Sequence, residues 1–244
     1  MRRISFAFAV AAVVAAAVPA FAAGSPAGGL RFDPNHKITN STSTNWSGYA
    51  ATGGPFTSVS ASWTQPSATC GTGETSYSSF WVGLDGYSSN TVEQTGTDAD
   101  CSSGTPQYYA WYEMYPKFPV NLSSSSNPVA PGDSMSASVT VGAGGKFTLT
   151  ISDSTRHWAF TTTQRLNKAS LSSAEVIAEA PSSRGGVLPL ANFGTVNFSG
   201  ASANGVSLST FNPDGITMQS GSTVKAQPSG ISSTGSFSVA WKHS

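Results

Sequence analysis

The stretches "SMSASVTVG" (residues 134–142) and "KFTLTI" (146–151) follow one another across a short glycine-rich segment. In both, every second residue is apolar and the residues between are mainly Ser, Thr or Lys. Successive side chains of a β-strand point to opposite faces, so this period of two is typical of a strand with one buried face. The pair predicts two strands that border a hydrophobic core.

The same alternation recurs along the chain, with Gly, Pro, Ser and Asn between the runs. Further examples are "SVSASWT" (58–64), "QYYAWYEMY" (107–115) and "GSFSVAWK" (235–242). Short alternating runs with turn residues between them predict an all-β domain, an antiparallel β-sandwich or barrel. No internal repeat or second domain boundary interrupts residues 45–244, which we predict to form one domain.

One segment does not follow this pattern. In "LSSAEVIAEA" (171–180), Ser172 and Glu175 have the spacing of a capping box, and the composition favours a helix. Pro181 would end the element. Local propensity therefore predicts a short helix here.

The N-terminus predicts export. Arg2 and Arg3 precede an apolar run, and small residues around Ala20 and Ala22 offer a cleavage site, which is the pattern of a secretory signal peptide over residues 1–22. Residues 23–44 lack hydrophobic periodicity and are predicted to be a leader or short propeptide. We expect a secreted, extracellular protein with no membrane association once the signal is removed, since no later stretch could span a bilayer.

Composition limits the partners. Charged residues make up only 10% of the chain, with 12 basic against 12 acidic, so the clustered Lys and Arg of a nucleic-acid-binding protein are absent from the sequence. The two cysteines, Cys70 and Cys101, are expected to form a disulfide in an exported chain. No histidine lies near either cysteine in sequence, so we predict no metal site and no cofactor. We expect a monomer.

Candidate catalytic residues are few. There is no G-x-S-x-G motif, and His157 is predicted to be a surface strand residue, which argues against a Ser–His–Asp hydrolase. Glu175 and Glu179 would lie ~13 Å apart in a strand, too far for a glycosidase pair, whereas Glu113 with Glu179 stays possible. Gln94-Thr95-Gly96 has the form of an aspartic-peptidase loop with an amide in place of the carboxylate, and no Asp-Thr-Gly or Asp-Ser-Gly occurs.

The run 107–115 is the most informative candidate for a binding surface. Alternation places Tyr109, Trp111, Glu113 and Tyr115 on one face of the strand. A glutamate among aromatic residues fits the floor of a groove for polypeptide or carbohydrate. An ordinary aromatic-rich sheet with an exposed glutamate fits the same residues equally well.

Four motifs in order resemble the glutamic peptidase (eqolisin) family: "FWVGLDG" (80–86), "EQTGTD" (93–98), "AWYEMYP" (110–116) and "SAEVIAEAP" (173–181). "NWSGY" (45–49) and "SVSASWTQPS" (58–67) fit its N-terminal pattern. The sequence departs from the family at Val176, where relatives carry an aromatic residue, and at Tyr109, which is often Asp. The cysteine pair does not match the disulfides of the fungal members.

The resemblance implies a pepstatin-insensitive acid endopeptidase, with polypeptide as its substrate, on a sandwich of two large antiparallel sheets like that of the concanavalin-type lectins. It implies Gln94 and Glu179 as the catalytic pair and places the segment around Glu179 in a strand, against the helix prediction. The positions that line or support the cleft in relatives correspond to Trp81, Asp85, Asp98, Trp111, Glu113 and Tyr115.

A glutamine suits such chemistry. Glu179 can take a proton from water and return it to the leaving amine, while the amide of Gln94 donates to the oxyanion. We expect hydrogen bonds from neighbours such as Gln94 to lower the pKa of Glu179, and activity to fall towards neutral pH. The alternatives are a carbohydrate-binding lectin-like sandwich that stacks sugars on Trp81, Trp111 and Tyr115, and a glycoside hydrolase that uses Glu113 and Glu179.

Overall fold

The computed structural model of the protein describes residues 41–244. The predicted signal peptide, residues 1–22, and most of the predicted leader, residues 23–40, lie outside the described residues. Thr42 and Ser43 already form a short strand that pairs with Thr217 and Met218, so the ordered fold includes residues that the sequence assigned to the leader. Within residues 41–244, no helix is long and apolar enough to cross a membrane.

Strands and one short 3-10 helix form the described domain, in the chain order β1 Thr42–Ser43, β2 Trp46–Thr52, β3 Ser58–Thr64, β4 Ser79–Leu84, β5 Val92–Ser102, β6 Thr105–Tyr115, β7 Val120–Asn121, β8 Ser134–Gly142, β9 Lys146–Asp153, β10 Trp158–Arg165, β11 Ser173–Glu179, β12 Ser182–Ser183, β13 Gly186–Val187, β14 Thr195–Ala203, β15 Val206–Ser207, the 3-10 helix Leu208–Phe211, β16 Asp214–Ser220, β17 Thr223–Pro228 and β18 Phe237–Trp241.

The strands form two layers that are continuous through β16. The back sheet has the order β10-β9-β8-β3-β14-β18-β17-β16, and the front sheet continues from β16 as β2-β11-β4-β5-β6-β7. The pairings along this order are antiparallel, and β1 adds a parallel pair to β16. The β-sandwich of two large sheets is therefore confirmed.

The main hydrophobic core lies between the layers. In β9, Phe147, Leu149 and Ile151 are buried, while the threonines between them are half-buried. The two layers also share a polar contact, because Trp63 of β3 donates from Nε1 to Oγ1 of Thr97 on β5 at 3.1 Å. Burial of each large apolar side chain stabilises the fold by about 1.5–3 kcal/mol relative to exposure. The alternation seen in the sequence thus follows the inward and outward faces of each strand.

The helix prediction for residues 171–180 is wrong. Ser173–Glu179 is strand β11, and it pairs with β2 on one side and β4 on the other. All seven of its residues are buried, so both faces of this central strand are covered and burial does not alternate along it. Tertiary pairing overrides the local helix propensity of Ala and Glu.

The predicted disulfide is confirmed. Cys70 and Cys101 are bonded, with 5.6 Å between their Cα atoms and a sequence separation of 31 positions. Cys101 lies near the end of β5 and is fully buried, and it forms an isolated antiparallel β-bridge with Ser76. The bond fixes the loop before β4 to the far end of β5, and so limits movement of the two strands that carry Trp81 and Gln94.

Candidate active site

The outer face of the front sheet carries a second cluster of large apolar side chains, separate from the main core. Tyr77, Tyr87 and Leu188, from the connecting loops, pack against it, and its buried members are Trp46, Ala50, Trp81, Val92, Tyr109, Trp111, Tyr115, Ile177 and Ile216. Its indole and phenol groups border the buried polar side chains of Gln94, Glu113 and Glu179. Glu113 is buried and not exposed, so the interpretation as an ordinary aromatic sheet with an exposed glutamate is wrong, while the groove floor stays a prediction.

Strand register arranges the polar residues of this face in rows across β11, β4, β5 and β6. One row contains Glu179, Ser79, Asp98 and Tyr109, and the parallel row two positions along contains Ile177, Trp81, Gly96 and Trp111. The next row contains Glu175, Gly83, Gln94 and Glu113. Side chains opposite one another in paired strands share a face, so the register brings together residues that are up to 100 positions apart in sequence.

Glu179 ends β11 with a fully buried carboxyl group that two side chains hold. Asn45 donates from Nδ2 to Oε1 at 3.0 Å, and Trp81 donates from Nε1 to Oε2 at 2.8 Å. Burial, followed by the nearby carboxyl group of Glu113, raises the pKa of Glu179 well above its usual range, while the N–H groups of Trp81, Trp46 and Asn45 oppose the rise. The two hydrogen bonds from Asn45 and Trp81 thus fix the orientation of this carboxyl group.

Gln94 does not make the contact that the sequence suggested. Its Nε2 donates to Oε2 of Glu113 at 2.8 Å, not to Glu179. The two residues lie opposite one another on β5 and β6, which makes the pairing a direct result of register. Glu113 therefore orients the amide of Gln94. The pKa of Glu179 is raised, and not lowered as the sequence suggested, because burial outweighs the hydrogen bonds from Trp81, Trp46 and Asn45.

The indole ring of Trp81 lies between Glu179 and Gln94. While its Nε1 contacts Glu179, the opposite edge of the indole lies beside Gly83, where an added Cβ would come within 2.9 Å of Cζ3 and 3.2 Å of the Cβ of Gln94. On the other flank, a Cβ at Gly96 would meet the carbonyl oxygen of Phe80 at 2.3 Å. The two glycines make room for the indole between Glu179 and Gln94.

Trp111 is held by a second group of buried acids. Its Nε1 and the hydroxyl of Ser79 donate to Oδ1 of Asp98, at 2.6 and 2.5 Å. Tyr109 donates to Oδ2 of Asp100 at 2.8 Å, so the residue that departs from the family pattern still belongs to the network. Burial raises the pKa of Asp98 to about 7 and that of Asp100 well above its usual range.

Asp85, directly after β4, has a buried carboxyl group whose hydrogen bonds go to the segment that precedes β11. Its carboxyl oxygens accept hydrogen bonds from the backbone of Leu171 and Ser172 at 2.8 Å each, and from the hydroxyl of Ser172 at 3.0 Å. Asp85 and Leu171 both have positive φ, at 68° and 53°. Asp85 thus connects the end of β4 to the segment that enters β11.

The remaining candidates have mixed outcomes. Tyr115 is a buried member of the outer cluster, opposite Val92. Glu175 is buried away from the contacts of Glu179, and burial raises its pKa well above the usual range. Burial also raises the pKa of Glu93 to about 8. Among residues 41–244, no group of three or more His, Cys, Asp or Glu side chains could hold a metal ion. Asn45 lies within the motif "NWSGY", but nothing in its local pattern predicts that it reaches Glu179.

The motif order of this site matches a known family over nearly the whole described domain. Residues 44–241 match the sequence model of the Peptidase A4 family. The chain belongs to the Peptidase A4 family. This Peptidase A4 member is 30% identical over 183 residues to aspergillopepsin-2 of Aspergillus niger, in an alignment that covers 66% of the chain and 64% of the relative. The chain thus spans less than two thirds of that relative's length.

Solved structures of Peptidase A4 relatives share the fold. Scytalido-glutamic peptidase, determined with a transition-state analogue inhibitor, superposes with a TM-score of 0.69 at 25% identity, covering 82% of this chain and 98% of that one. SCP-B, described as a member of the eqolisin family of peptidases and bound to the tripeptide Ala-Ile-His, gives a TM-score of 0.64 at 25% identity and the same coverage. The predicted resemblance to the glutamic peptidases is confirmed.

Proposed function

We propose that the protein is a secreted acid endopeptidase that hydrolyses peptide bonds with Glu179 and Gln94. The observation that best supports this is the setting of Glu179, a buried carboxyl group held by Asn45 and Trp81 on a face where Gln94 lies beyond the same indole ring. Family membership favours a peptidase over the carbohydrate-binding and glycosidase alternatives.

Glu179 serves first as a base and then as an acid. Its carboxylate takes one proton from a water molecule while the water oxygen bonds to the carbonyl carbon of the scissile peptide, and the carbonyl π-electrons move to oxygen. The protonated Glu179 then gives that proton to the amide nitrogen as the C–N bond breaks. The products are a carboxylic acid and an amine, and Glu179 is again ionised.

Gln94 stabilises the charge that develops on the carbonyl oxygen. A carboxamide does not titrate, and its NH2 group carries two donor hydrogens. One hydrogen is directed at Glu113, which fixes the plane of the amide, and the amide of Gln94 is the donor that we assign to the oxyanion. A carboxylate at position 94 would repel the same oxyanion, which explains why an amide is needed here.

The aromatic residues of the front sheet's outer face and the ligands bound by the relatives support a polypeptide substrate. A row of indole and phenol rings favours extended polypeptide with bulky apolar side chains. SCP-B binds a tripeptide, and scytalido-glutamic peptidase binds a transition-state analogue. Since no Asp-Thr-Gly or Asp-Ser-Gly occurs in the sequence, we propose that pepstatin, an inhibitor of two-aspartate peptidases, has no effect.

Casein cleavage measured from pH 3 to pH 7 with pepstatin present tests this function, because Glu179 acts as a base only when ionised and burial raises its pKa. Loss of the amide donor in Gln94→Ala should lower kcat by about 10²–10³-fold, and loss of the base in Glu179→Ala should lower it at least as much. Glu74→Gln and Gln227→Ala are matched controls at solvent-accessible positions of the same residue types, and should keep wild-type rates. Wild-type protein that is inert after removal of any leader, or folded variants that retain full activity, would contradict the proposal.

A further inference from the structure

The first described residues form a short segment that reaches the catalytic face from the side. Its strand, β1, pairs in parallel with β16, and the amide of Thr217 donates to the carbonyl oxygen of Ser41 at 2.9 Å. At its other end, the carbonyl oxygen of Asn45 accepts from the amide of Ala180 at 2.8 Å, directly after Glu179. Residues 41–45 therefore connect the edge of the front sheet to the end of β11.

Ser43 fixes the side chain of Asn45. The Ser43 hydroxyl, which is buried, donates to Oδ1 of Asn45 at 3.0 Å and accepts from the backbone amides of Asn45 and Trp46 at 3.3 and 3.1 Å. Because Oδ1 of Asn45 is the acceptor in this contact, its Nδ2 must point the other way, and it donates to Oε1 of Glu179 at 3.0 Å. Each side-chain hydrogen bond thus determines the next.

The outer end of the segment has its own anchor. The hydroxyl of Ser41 donates to Oδ1 of Asp214, and the hydroxyl of Tyr87 donates to Oδ2 of the same carboxyl group at 2.9 Å. Asp214 begins β16, the strand that pairs with β1. Burial and Asp214 raise the pKa of Tyr87 to about 12, so its phenol keeps its proton, and hence its donor, at acidic and neutral pH.

We propose that Ser43 and Asn45 position the carboxyl group of Glu179, and that Asp214 with Tyr87 anchors the segment that carries them. These are positioning residues, since they act through Glu179 and not on the substrate. The inference rests on the proposed function only where hydrolysis is the readout. It assigns a role in the reaction to Ser43, which the sequence analysis placed in the leader, and to Asn45, the first residue of the predicted domain.

A hydrogen bond donated to a carboxylate favours its ionised form. Replacing Asn45, or the Ser43 hydroxyl that orients it, therefore raises the pKa of Glu179. The acid limb of the rate profile, on which Glu179 ionises, then moves to higher pH. Glu113 on β6 is the carboxyl neighbour that acts on Glu179, and Asp98 shares its row on β5. Both remain unchanged in the variants below, so the shift reports the lost donor.

The test compares Ser43→Ala, Asn45→Ala and the conservative Ser43→Thr with Ser62→Ala, whose exposed hydroxyl contacts Ser136 on the back sheet. We expect kcat to fall about 10–100-fold in the first two, the effect of one hydrogen bond to a charged group, with KM nearly unchanged. Their acid limb should rise by about one pH unit. Ser43→Thr should recover most of the loss. An unchanged kcat and acid limb in folded Ser43→Ala and Asn45→Ala would overturn the proposal.

A second readout does not need hydrolysis. The indoles of Trp81 and Trp46 adjoin Glu179, so a pH titration of tryptophan fluorescence should contain one transition that is missing in Glu179→Gln. Asn45→Ala must shift that transition to higher pH. If wild-type protein cleaves nothing and the shift is still seen, the proposed function fails while the positioning role stands; no shift overturns the role.

The anchor is tested separately with Asp214→Ala and Tyr87→Phe. Both should lower kcat and move the acid limb in the same direction as Asn45→Ala, by a smaller factor, because β1 stays paired with β16. Wild-type kinetics in both variants, with thermal unfolding showing an intact fold, would remove Asp214 and Tyr87 from the proposal and leave Ser43 and Asn45 in it.

Discussion

At the scale of single residues, the packing of the front face depends on two glycines, Gly83 and Gly96. Gly96 lies opposite Trp81 and Trp111 in the sheet, and a methyl group there would come within 2.3 Å of the carbonyl oxygen of Phe80 and 2.6 Å of the Cβ of Trp81. The backbone carbonyl of Phe80 cannot move away from such a methyl group as the end of a flexible side chain could. The glycine of the Gln-Thr-Gly motif is therefore needed to seat the indole that contacts Glu179.

Gly96→Ala should accordingly lower the free energy of unfolding by several kcal/mol, at the upper end of what overpacking in a core costs, about 1–3 kcal/mol or more. Gly142→Ala is the matched control, since the nearest atom to its added Cβ would be 3.8 Å away. Urea denaturation of both variants measures the difference. Equal stability of the two would show that the front sheet shifts to accept a side chain at position 96.

At the scale of elements, Asp85 explains how a strand of poor strand propensity is held in place. The three donors from Leu171 and Ser172 tie the entry of β11 to the end of β4, and the amide of Asp85 in turn donates to the carbonyl oxygen of Ser173 at 3.0 Å. These contacts set the register that puts Glu179 opposite Ser79. The motif "GLDG" is thus a structural support for β11.

Asp85→Ala should leave the amides of Leu171 and Ser172 without their acceptors, at a cost of about 1–3 kcal/mol for each buried group left unsatisfied. Hydrogen exchange at these two amides should speed up strongly. Asp133→Ala is the comparison, because Asp133 likewise accepts a backbone amide, that of Ala130 at 2.7 Å, in a different part of the chain. Protection at Leu171 and Ser172 that equals wild type in Asp85→Ala would contradict this role.

At the scale of the whole molecule, buried carboxyl groups predict a fold that is most stable at acidic pH. Burial raises the pKa of Glu93 from 4.5 to about 8 and that of Asp98 from 3.8 to about 7, with Glu175 and Glu179 raised as well. A carboxyl group whose pKa is higher in the folded than in the unfolded state binds more protons when folded. The free energy of unfolding therefore falls as pH rises between the two pKa values.

Stability should be greatest at about pH 4 and decline up to about pH 8, with a slope of up to about 1.4 kcal/mol per pH unit for each such group. Urea denaturation at pH 4, 6 and 8 measures the slope. Glu93→Gln, which carries no titrating group, should flatten the part of the curve nearest pH 8. A stability that rises from pH 4 to pH 8 would contradict the raised pKa values. Activity that falls towards neutral pH stays a prediction from the sequence.

The sequence by itself determined the strands with one buried face, the cysteine pair and, through four ordered motifs, the family. Alternation in β9 follows directly from inward Phe147, Leu149 and Ile151, since the period of two is a local property of the backbone. The motifs also located Gln94 and Glu179, whose roles as a catalytic pair remain the prediction to test.

Only the tertiary structure decided which partners these side chains meet. Residues 173–179 became a strand because β2 and β4 pair with both of their edges, and neither neighbour is close in sequence. Gln94 donates to Glu113, and Asn45 reaches Glu179 across 134 residues, for the same reason. A buried polar group takes its hydrogen-bond partner from the adjacent strand, and strand order is set by how the whole chain packs, not by the residues on either side of it.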